Sequence, residues 1–214
     1  MNFIGHATVA LWQRADPEFV LGSMLPDFAS MAGTRLGADS AQVSDARHDA
    51  LRGGIALHHR TDEAFHGAPA FVSLQQGALD QLSALGIARG TARAVAHVGV
   101  EMFIDGELIR APEVADAYTK ALHAGHDFTS VFVDSDGAAR WELLRQRLIV
   151  YGAPYDYREP ESVLTRLQLM LRARPRLAID TATLPLLRQA LPGLQRKVIA
   201  ELSGLLTTLR AHLS

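Results

Sequence analysis

The chain has 214 residues, of which 48% are apolar and 21% are charged, so it is long enough to bury a hydrophobic core. Its 21 basic and 23 acidic residues nearly balance, which excludes a disordered polyelectrolyte and a globally basic nucleic-acid-binding protein. The absence of cysteine excludes disulfides, thiolate zinc sites and cysteine nucleophiles. No uncharged apolar run reaches the roughly 18 residues of a membrane helix, and the N-terminus lacks the basic region of a signal peptide, so we expect a cytoplasmic protein without membrane association.

Apolar residues recur at helical spacing through nearly the whole chain, which predicts an all-α fold. We expect a single domain, residues 1–214, built as a bundle of about seven to nine helices. In chain order the helical stretches cover about 6–16, 19–31, 45–66, 69–86, 91–110, 112–125, 141–151, 161–171, 184–191 and 193–209.

Several local signals mark the ends of these helices. Pro26 interrupts the second stretch, and the glycines and small polar residues over 33–44 predict a loop. Asp45 or a neighbour should cap the next helix, and Thr91 should cap the helix over 91–110. Residues 131–133 are the only strand candidate.

Two other local features concern the second half of the chain. Asp134-Ser135-Asp136-Gly137 resembles a calcium loop but lacks its later ligands, so it predicts a turn that caps the following helix. A second turn is expected at Pro192-Gly193, between the last two helical stretches.

Basic residues accumulate at the end of the chain. Residues 1–161 carry 13 bases and 21 acids, a net charge of −8, whereas residues 162–214 carry 8 bases and 2 acids, a net charge of +6. This asymmetry either reflects chance and arginine-rich codon usage, or it predicts a segment that binds an acidic partner or a phosphate-bearing ligand. Aromatic residues are not interleaved with these arginines, which argues against a platform for single-stranded nucleic acid.

Histidines and carboxylates in the middle of the chain are the first candidates for metal ligands. His58 and Asp62 lie four residues apart, which places both on one face of a helix, about 5–6 Å apart at Cβ. His59, Asp62 and His66 follow an equally helical spacing. Spacing by itself leaves both sets open.

A second row of potential ligands lies on the predicted helix over 91–110. His97, Glu101 and Asp105 follow one another at intervals of four residues. The end members lie about 12 Å apart along the helix, and ligand atoms lie only about 2.0–2.2 Å from an ion, so His97 and Asp105 should not share one. Because the helix is otherwise apolar nearly all round, we expect it to be buried, where carboxylates are costly unless paired or metal-bound. Two neighbours of the row would bind one ion, or the row spans two ions about 3.5–4 Å apart.

His6 and Asp27 are isolated polar residues in apolar surroundings. His6 lies in the apolar start of the chain, and Asp27 lies between Leu25-Pro26 and Phe28-Ala29. Taken singly, each is typical of a core residue whose polar atoms are satisfied by neighbours.

Four motifs, taken together and in order, resemble the acyl carrier protein phosphodiesterase family, divergent relatives of the HD-type metal-dependent phosphohydrolases. They are Met-Asn-Phe-Ile-Gly-His at 1–6, Gly-Ser-Met-Leu-Pro-Asp-Phe at 22–28, Gly-Ile-Ala-Leu-His-His-Arg-Thr-Asp at 54–62 and Glu-Met-Phe-Ile-Asp at 101–105. The matches cover residues 1 to about 106. They imply an HD-phosphohydrolase-like metal-binding core over 1–110, followed by additional helices over 111–214 of which the last ~50 residues are basic.

The resemblance selects among the candidate ligands. It implies His58 rather than His59, and Glu101 with Asp105 rather than His97, and it leaves His59, His66 and His97 as possible further residues of the site. The implied metal ligands are His6, Asp27, His58, Asp62, Glu101 and Asp105. A mixture of imidazoles and carboxylates suits Mn²⁺ best here, with Fe²⁺, Zn²⁺ or Mg²⁺ as alternatives.

The resemblance also implies an activity, the metal-dependent hydrolysis of the phosphopantetheine–serine phosphodiester of holo acyl carrier protein. Arg60 would bind the phosphate, and Asp62 or Asp27 would act as general base. Carrier proteins are acidic, so arginines of the last helical segments would dock them. These are Arg166, Arg172, Arg174, Arg176 and Arg188.

Departures from the family pattern favour two alternative functions. Ser23 replaces an asparagine, His59 an arginine, Phe65-His66 a Thr-Asp pair and Gly106 a histidine. One alternative is a helical binding protein that keeps the fold without catalysis. The other is a phosphohydrolase that acts on small phosphoesters or nucleotides.

Overall fold

A computed structural model of the protein describes residues 1–37 and 45–213, apart from the side chains of residues 127 and 129. Within these ranges the chain is all-α, as predicted, with nine α-helices and two short 3₁₀ segments, Gly125–Val131 and Tyr155–Arg158. The helices are α1 (Phe3–Gln13), α2 (Pro17–Met31), α3 (Ala46–Gly67), α4 (Pro69–Ala84), α5 (Arg89–Leu108), α6 (Pro112–Ala124), α7 (Ser135–Tyr151), α8 (Pro160–Leu171) and α9 (Thr183–Leu213).

The chain forms two compact units, each of which takes one segment from either half of the sequence. The first unit consists of Met1–Glu63 and Leu108–Pro154, and the second consists of Ala64–Glu107 and Tyr155–Ser214. Neither unit is therefore a continuous stretch of the sequence.

An aromatic core holds the first unit together. The ring of Phe28 lies 5.4 Å from that of Phe3 and 5.7 Å from that of Trp141, and Trp141 stacks with Phe132 at 5.8 Å. All four side chains are buried. α1 packs against α2 and is buried from Phe3 to Ala10, as expected for a helix that is apolar nearly all round.

Side-chain caps confirm two of the predicted helix starts. Oδ1 of Asp45 accepts a hydrogen bond from the amide of His48 at 2.8 Å, which caps α3. Oδ1 of Asp134 accepts from the amide of Gly137 at 2.6 Å, so Asp134 caps α7 as predicted, but α7 begins at Ser135 rather than near 141 and residues 135–137 form its first turn instead of a separate turn. Part of the predicted loop over 33–44 lies outside the described residues.

The second unit is organised around the long helix α9. α4 and α8 both pack against it, and its buried residues recur at helical spacing. They are Leu187, Ala190, Leu191, Leu194, Val198, Leu205, Leu209 and Leu213. In the same unit the main chain of Tyr157 lies directly over Gly106, where a Cβ atom would come within 2.6 Å of the Tyr157 carbonyl group. Glycine at 106 is thus a packing requirement of this fold.

Both interior prolines are accommodated within continuous helices. The predicted break at Pro192 is wrong, because α9 runs through it, and α2 likewise runs through Pro26. Proline removes one backbone hydrogen bond, but the buried residues on either side, Leu191 and Leu194, continue a single apolar stripe whose burial stabilises one helix.

Two further predictions are corrected by the structure. α5 begins at Arg89, so Thr91 is not the N-cap of this helix. The Thr91 hydroxyl instead donates to the carbonyl of Ala178 at 3.3 Å. The predicted strand at 131–133 is reduced, among the described residues, to an isolated antiparallel bridge between Leu36 and Phe132. Among residues 1–37 and 45–213, no helix combines the length and apolarity needed to span a membrane.

Candidate metal centre

Two glycines bring α2 and α3 of the first unit into unusually close contact. A Cβ atom on Gly22 would lie 2.1 Å from the carbonyl oxygen of Leu51, and one on Gly54 would lie 2.1 Å from the carbonyl oxygen of Phe19. Because no side chain fits at either position, the two backbones touch directly at this crossing. The crossing sets the distance between the candidate ligands of the two helices.

The α2–α3 crossing also orients His58. Nδ1 of His58 lies 2.9 Å from the main-chain carbonyl oxygen of Ser23, so it carries the proton and donates to that oxygen. The lone pair of the ring is then on Nε2, and His58 itself is only 5% exposed. Histidines that bind metals are typically held in this way, with the second ring nitrogen donating to a carbonyl or carboxylate.

His6, Asp27 and His58 form a compact cluster with Asp62 beside it. One ligand atom from each of the first three lies within 4.8 Å of the others. Nε2 of His6 lies 3.9 Å from Oδ2 of Asp27 and 3.3 Å from Oδ1 of Asp62, and Nε2 of His58 lies 4.0 Å from Oδ2 of Asp62. The two imidazole rings stack with their centroids 3.9 Å apart.

The interior of the cluster favours neutral imidazoles and an ionised carboxylate. Burial lowers the pKa of His6, and burial together with the adjacent His6 lowers the pKa of His58 to about 4. Partial burial would raise the pKa of Asp62, but its contacts with His6 and with the Met1 amino group, which donates at 2.8 Å, hold it well below its usual range. At neutral pH both histidines can therefore offer a lone pair to a cation.

His6 is the most unusual member of the cluster. It is fully buried, and neither of its ring nitrogens makes a hydrogen bond to the described residues. A buried polar group without a hydrogen bond costs about 1–3 kcal/mol. Beside Nε2 of His6 lie the carboxylate oxygens of Asp62, at 3.3 Å, and of Asp27, at 3.9 Å, so the residues present fit a cation bound between these carboxylates and the imidazole.

The low pKa of His58 predicts a loss of stability of the metal-free protein in mild acid. As the pH falls below 6.5 the unfolded chain takes up a proton that folded His58 takes up only near pH 4, so protonation favours unfolding across this window. Between pH 7 and pH 5 we expect this group to reduce the free energy of unfolding by about 2 kcal/mol. Urea unfolding at these two pH values, in the presence of a chelator, measures this decrease in the free energy of unfolding.

Two glutamine variants separate this effect from the general pH dependence of the protein. H58Q should lose this part of the decrease, whereas H123Q, which changes an exposed histidine of the same unit, should keep it. The same decrease in wild type and in H58Q would contradict the assignment.

Arg60 and His59 are both exposed on α3. The His59 ring meets the His58 ring edge-on at 5.3 Å. The predicted roles of Arg60 in phosphate binding and of His59 as a further site residue stay predictions.

A second cluster lies in the second unit and contains Glu101, which the family resemblance had grouped with Asp105. Oε1 of Glu101 lies 3.1 Å from Nε2 of His66 and 3.3 Å from Nε2 of His97. Burial would raise the pKa of Glu101, but the hydrogen bond from His66 outweighs it and lowers the pKa. The structure thus brings His66 and His97 together with Glu101.

Asp105 belongs to the second unit as well and is fully buried on α5. Burial raises the pKa of the nearby Tyr157 hydroxyl, and the Asp105 carboxylate raises it further. The predicted role of Asp105 as a metal ligand stays a prediction.

The arginines predicted to dock a partner differ in their surroundings. Arg166 pairs with Asp156 at 2.8 Å, and Arg188 pairs with Glu161 at 2.7 Å. Three others, at 172, 174 and 176, are exposed in the segment that follows α8.

Sequence reasoning missed the residues that position the ligands. Ser23 acts through its main-chain carbonyl, which no side-chain pattern reveals. Gln75 contacts His97 from another helix, with Nε2 2.7 Å from Nδ1. Gly22 and Gly54 were noted only as parts of the motifs, although two glycines on adjacent apolar helices are a recognisable signal for close packing.

Comparisons of the chain with protein-family models, with curated proteins and with solved structures found no match. The resemblance to the acyl carrier protein phosphodiesterase family therefore stays a prediction that depends on the four motifs.

Proposed function

We propose that the first unit binds a divalent cation through His6, Asp27 and His58, with Asp62 beside them, and that the protein is a metal-dependent phosphodiester hydrolase. One observation carries the proposal. Two stacked, buried imidazoles share a cluster with Asp27, one of them oriented by the Ser23 carbonyl and the other without hydrogen bonds to the described residues. An HD-phosphohydrolase-like core is part of the proposal, through the motif resemblance.

The donor set indicates the kind of cation. Two imidazole nitrogens with one or two carboxylates suit Mn²⁺, Fe²⁺ or Zn²⁺ better than an all-oxygen site would, and we propose Mn²⁺ with Mg²⁺ as the weaker alternative. When bound, such an ion lowers the pKa of a coordinated water and neutralises charge on phosphoryl oxygens.

The side chains around the cluster have separable roles in this proposal. His58, held by Ser23, and the enclosed His6 contribute nitrogen ligands whose positions do not depend on solvent. Asp62 has a side chain that is 38% exposed, and its lowered pKa keeps it ionised at neutral pH. It is therefore suited to accept a hydrogen bond from the attacking water and to orient it, while Asp27 contributes a carboxylate ligand.

The proposed substrate is the phosphopantetheine–serine linkage of holo acyl carrier protein, as the motif resemblance implies. Since Arg166 and Arg188 are already engaged in ion pairs, docking of an acidic carrier protein would depend mainly on Arg172, Arg174 and Arg176. An acidic protein partner fits this exposed basic segment.

Hydrolysis of bis(4-nitrophenyl) phosphate in the presence of added Mn²⁺ tests the activity. We expect Mn²⁺ to stimulate the rate in wild type and D27A to abolish that stimulation, because the variant removes a carboxylate ligand. D116A is a matched control, since Asp116 is exposed in the same unit and pairs with Lys120 on its own helix.

The possible outcomes discriminate between the proposed function and its alternatives. Equal rates for D27A and wild type would refute the catalytic assignment. Binding of Mn²⁺ without hydrolysis of this diester or of holo acyl carrier protein would favour the non-catalytic binding protein, and release of phosphate from nucleotides alone would favour the small-phosphoester enzyme.

A further inference from the structure

We propose that the second unit carries a separate zinc site formed by His66, His97 and Glu101, and that a phosphate-class anion completes it from an adjoining groove. The site shares no residue with the proposed centre of the first unit. The zinc ligands are therefore independent of the proposed hydrolase centre, while Arg174 of the groove is also one of the arginines proposed to dock a carrier protein.

The distances from the Glu101 oxygen to the two histidine nitrogens fit a tetrahedral ion. Two atoms that each lie about 2.0–2.1 Å from Zn²⁺ at tetrahedral angles are about 3.3 Å from each other. Oε1 of Glu101 lies 3.1 Å from Nε2 of His66 and 3.3 Å from Nε2 of His97. All three ligand atoms lie within 4.8 Å of one another, so a small movement of the imidazoles would admit the ion.

Aromatic packing holds the two imidazoles in place. Their rings are nearly parallel, at 8° with centroids 5.2 Å apart. The Phe71 ring contacts both edge-on, at 5.3 Å from His66 and 5.6 Å from His97. Phe65, which is fully buried, contacts the His66 ring at 5.3 Å. Both ligands are thus oriented before any ion binds.

Gln75 provides the outer contact that a metal-bound histidine requires. Its side-chain amide lies 2.7 Å from Nδ1 of His97. The atom that faces Nδ1 is the amide nitrogen, which donates to it. Rotation of the amide by 180° places its oxygen there instead, where it accepts a hydrogen bond from Nδ1–H and leaves the Nε2 lone pair for the ion.

The charge of the cluster also favours a cation. The Glu101 side chain is only 12% exposed, and its pKa is lowered, so it is an ionised carboxylate in a largely enclosed position. The two histidine side chains are each 36% exposed, which leaves the site accessible from solvent. Two imidazoles and one glutamate are a ligand set that zinc enzymes use, with the fourth position open to a ligand.

A groove of about 570 Å³ adjoins the cluster and indicates the class of the fourth ligand. His66 and His97 line it together with Arg93, Arg174 and Gln75. Two arginines in the lining of a groove that both histidines also line suit an anion with several oxygens, such as the phosphate of a phosphoester. Inorganic phosphate is the simplest probe of this chemistry.

Metal titration of the full chain tests the zinc site. The quantity compared is the number of Zn²⁺ ions bound by each variant relative to wild type, and this difference does not depend on the first unit. We expect H97Q and H66Q each to bind one Zn²⁺ fewer per chain than wild type, while H212Q, which changes an exposed histidine of the same unit, binds as much as wild type. With Co²⁺ in place of Zn²⁺, both cluster variants should lose the visible bands of a four-coordinate site. H58Q should retain these bands even if the proposed function is wrong.

Binding of equal amounts of Zn²⁺ by H97Q and wild type would overturn the zinc site, and would show that the cluster is a hydrogen-bonded network instead. The thermal unfolding of each variant in chelator shows whether it is folded. If H97Q does not fold, the Q75L variant, which removes only the outer contact of His97, should still weaken Zn²⁺ binding about tenfold.

Phosphate titration of the Co²⁺-loaded protein tests the anion. We expect inorganic phosphate to change the Co²⁺ spectrum, and R174Q to require about tenfold more phosphate than wild type, because it removes a charge-assisted hydrogen bond. R196Q, which changes an exposed arginine of α9 that does not line the groove, should behave like wild type. A spectrum that phosphate leaves unchanged would overturn the anion part of the proposal.

Discussion

Replacing Gly54 with alanine is expected to destabilise the protein by about 3 kcal/mol or more and to abolish metal binding by the first unit. The new methyl group would lie 2.1 Å from the carbonyl oxygen of Phe19 and 2.8 Å from the amide nitrogen of Ser23. Both contacts are with backbone, which cannot rotate away, so α2 and α3 must separate. That separation moves the Ser23 carbonyl away from Nδ1 of His58. Urea unfolding and Mn²⁺ titration measure the two effects.

Gly204 is the matched control for this substitution. It lies within α9, and a Cβ atom there would meet nothing within 4 Å. G204A is therefore expected to stabilise the protein by about 0.5–1 kcal/mol, because alanine has the higher helix propensity. If G54A were as stable as wild type and bound Mn²⁺ normally, the close α2–α3 crossing would be wrong.

The variant H6L is expected to change stability and metal affinity in opposite directions. Leucine has no polar atoms to leave unsatisfied in this fully buried position, so the metal-free protein should gain about 1–2 kcal/mol in the free energy of unfolding. Loss of the imidazole should weaken Mn²⁺ binding at least about 100-fold, since even outer contacts of metal ligands contribute 10–100-fold. Unfolding in chelator and calorimetric titration of Mn²⁺ give the two quantities.

The combination of effects is what identifies His6 as a ligand. A histidine that only packed against its neighbours would reduce stability when replaced and leave Mn²⁺ binding unchanged. H123L, at an exposed position of α6 in the same unit, should produce neither effect. Unaltered Mn²⁺ affinity in H6L would remove His6 from the proposed centre.

The helices were largely predictable because their signals are local. Asp45 and Asp134 cap helices where the sequence indicated, since a cap depends only on a side chain and the next few amides. The predicted break at Pro192 was wrong because the outcome there depends on tertiary packing and not on a local signal. Whether a proline ends a helix depends on the burial of the residues that follow, and here they continue one apolar stripe against α4 and α8.

The candidate ligands were recognisable as residue types, but their grouping was not. Helical spacing could not choose between His58 and His59, and burial of one and exposure of the other separates them. Glu101 was predicted to act with Asp105, one turn away on its own helix. Its carboxylate oxygen Oε1 instead lies 3.1 Å from Nε2 of His66, which is 35 residues away in sequence.

The amino-acid sequence by itself determined the all-α class, most helix boundaries and the types of side chain available for metal chemistry, because periodicity, capping and ligand chemistry are properties of short segments. Only the tertiary structure decided which histidines and carboxylates meet. A cluster forms where helices distant in sequence come into contact, and that contact depends on backbone approach at glycines such as Gly22 and Gly54 and on aromatic packing around residues such as His66.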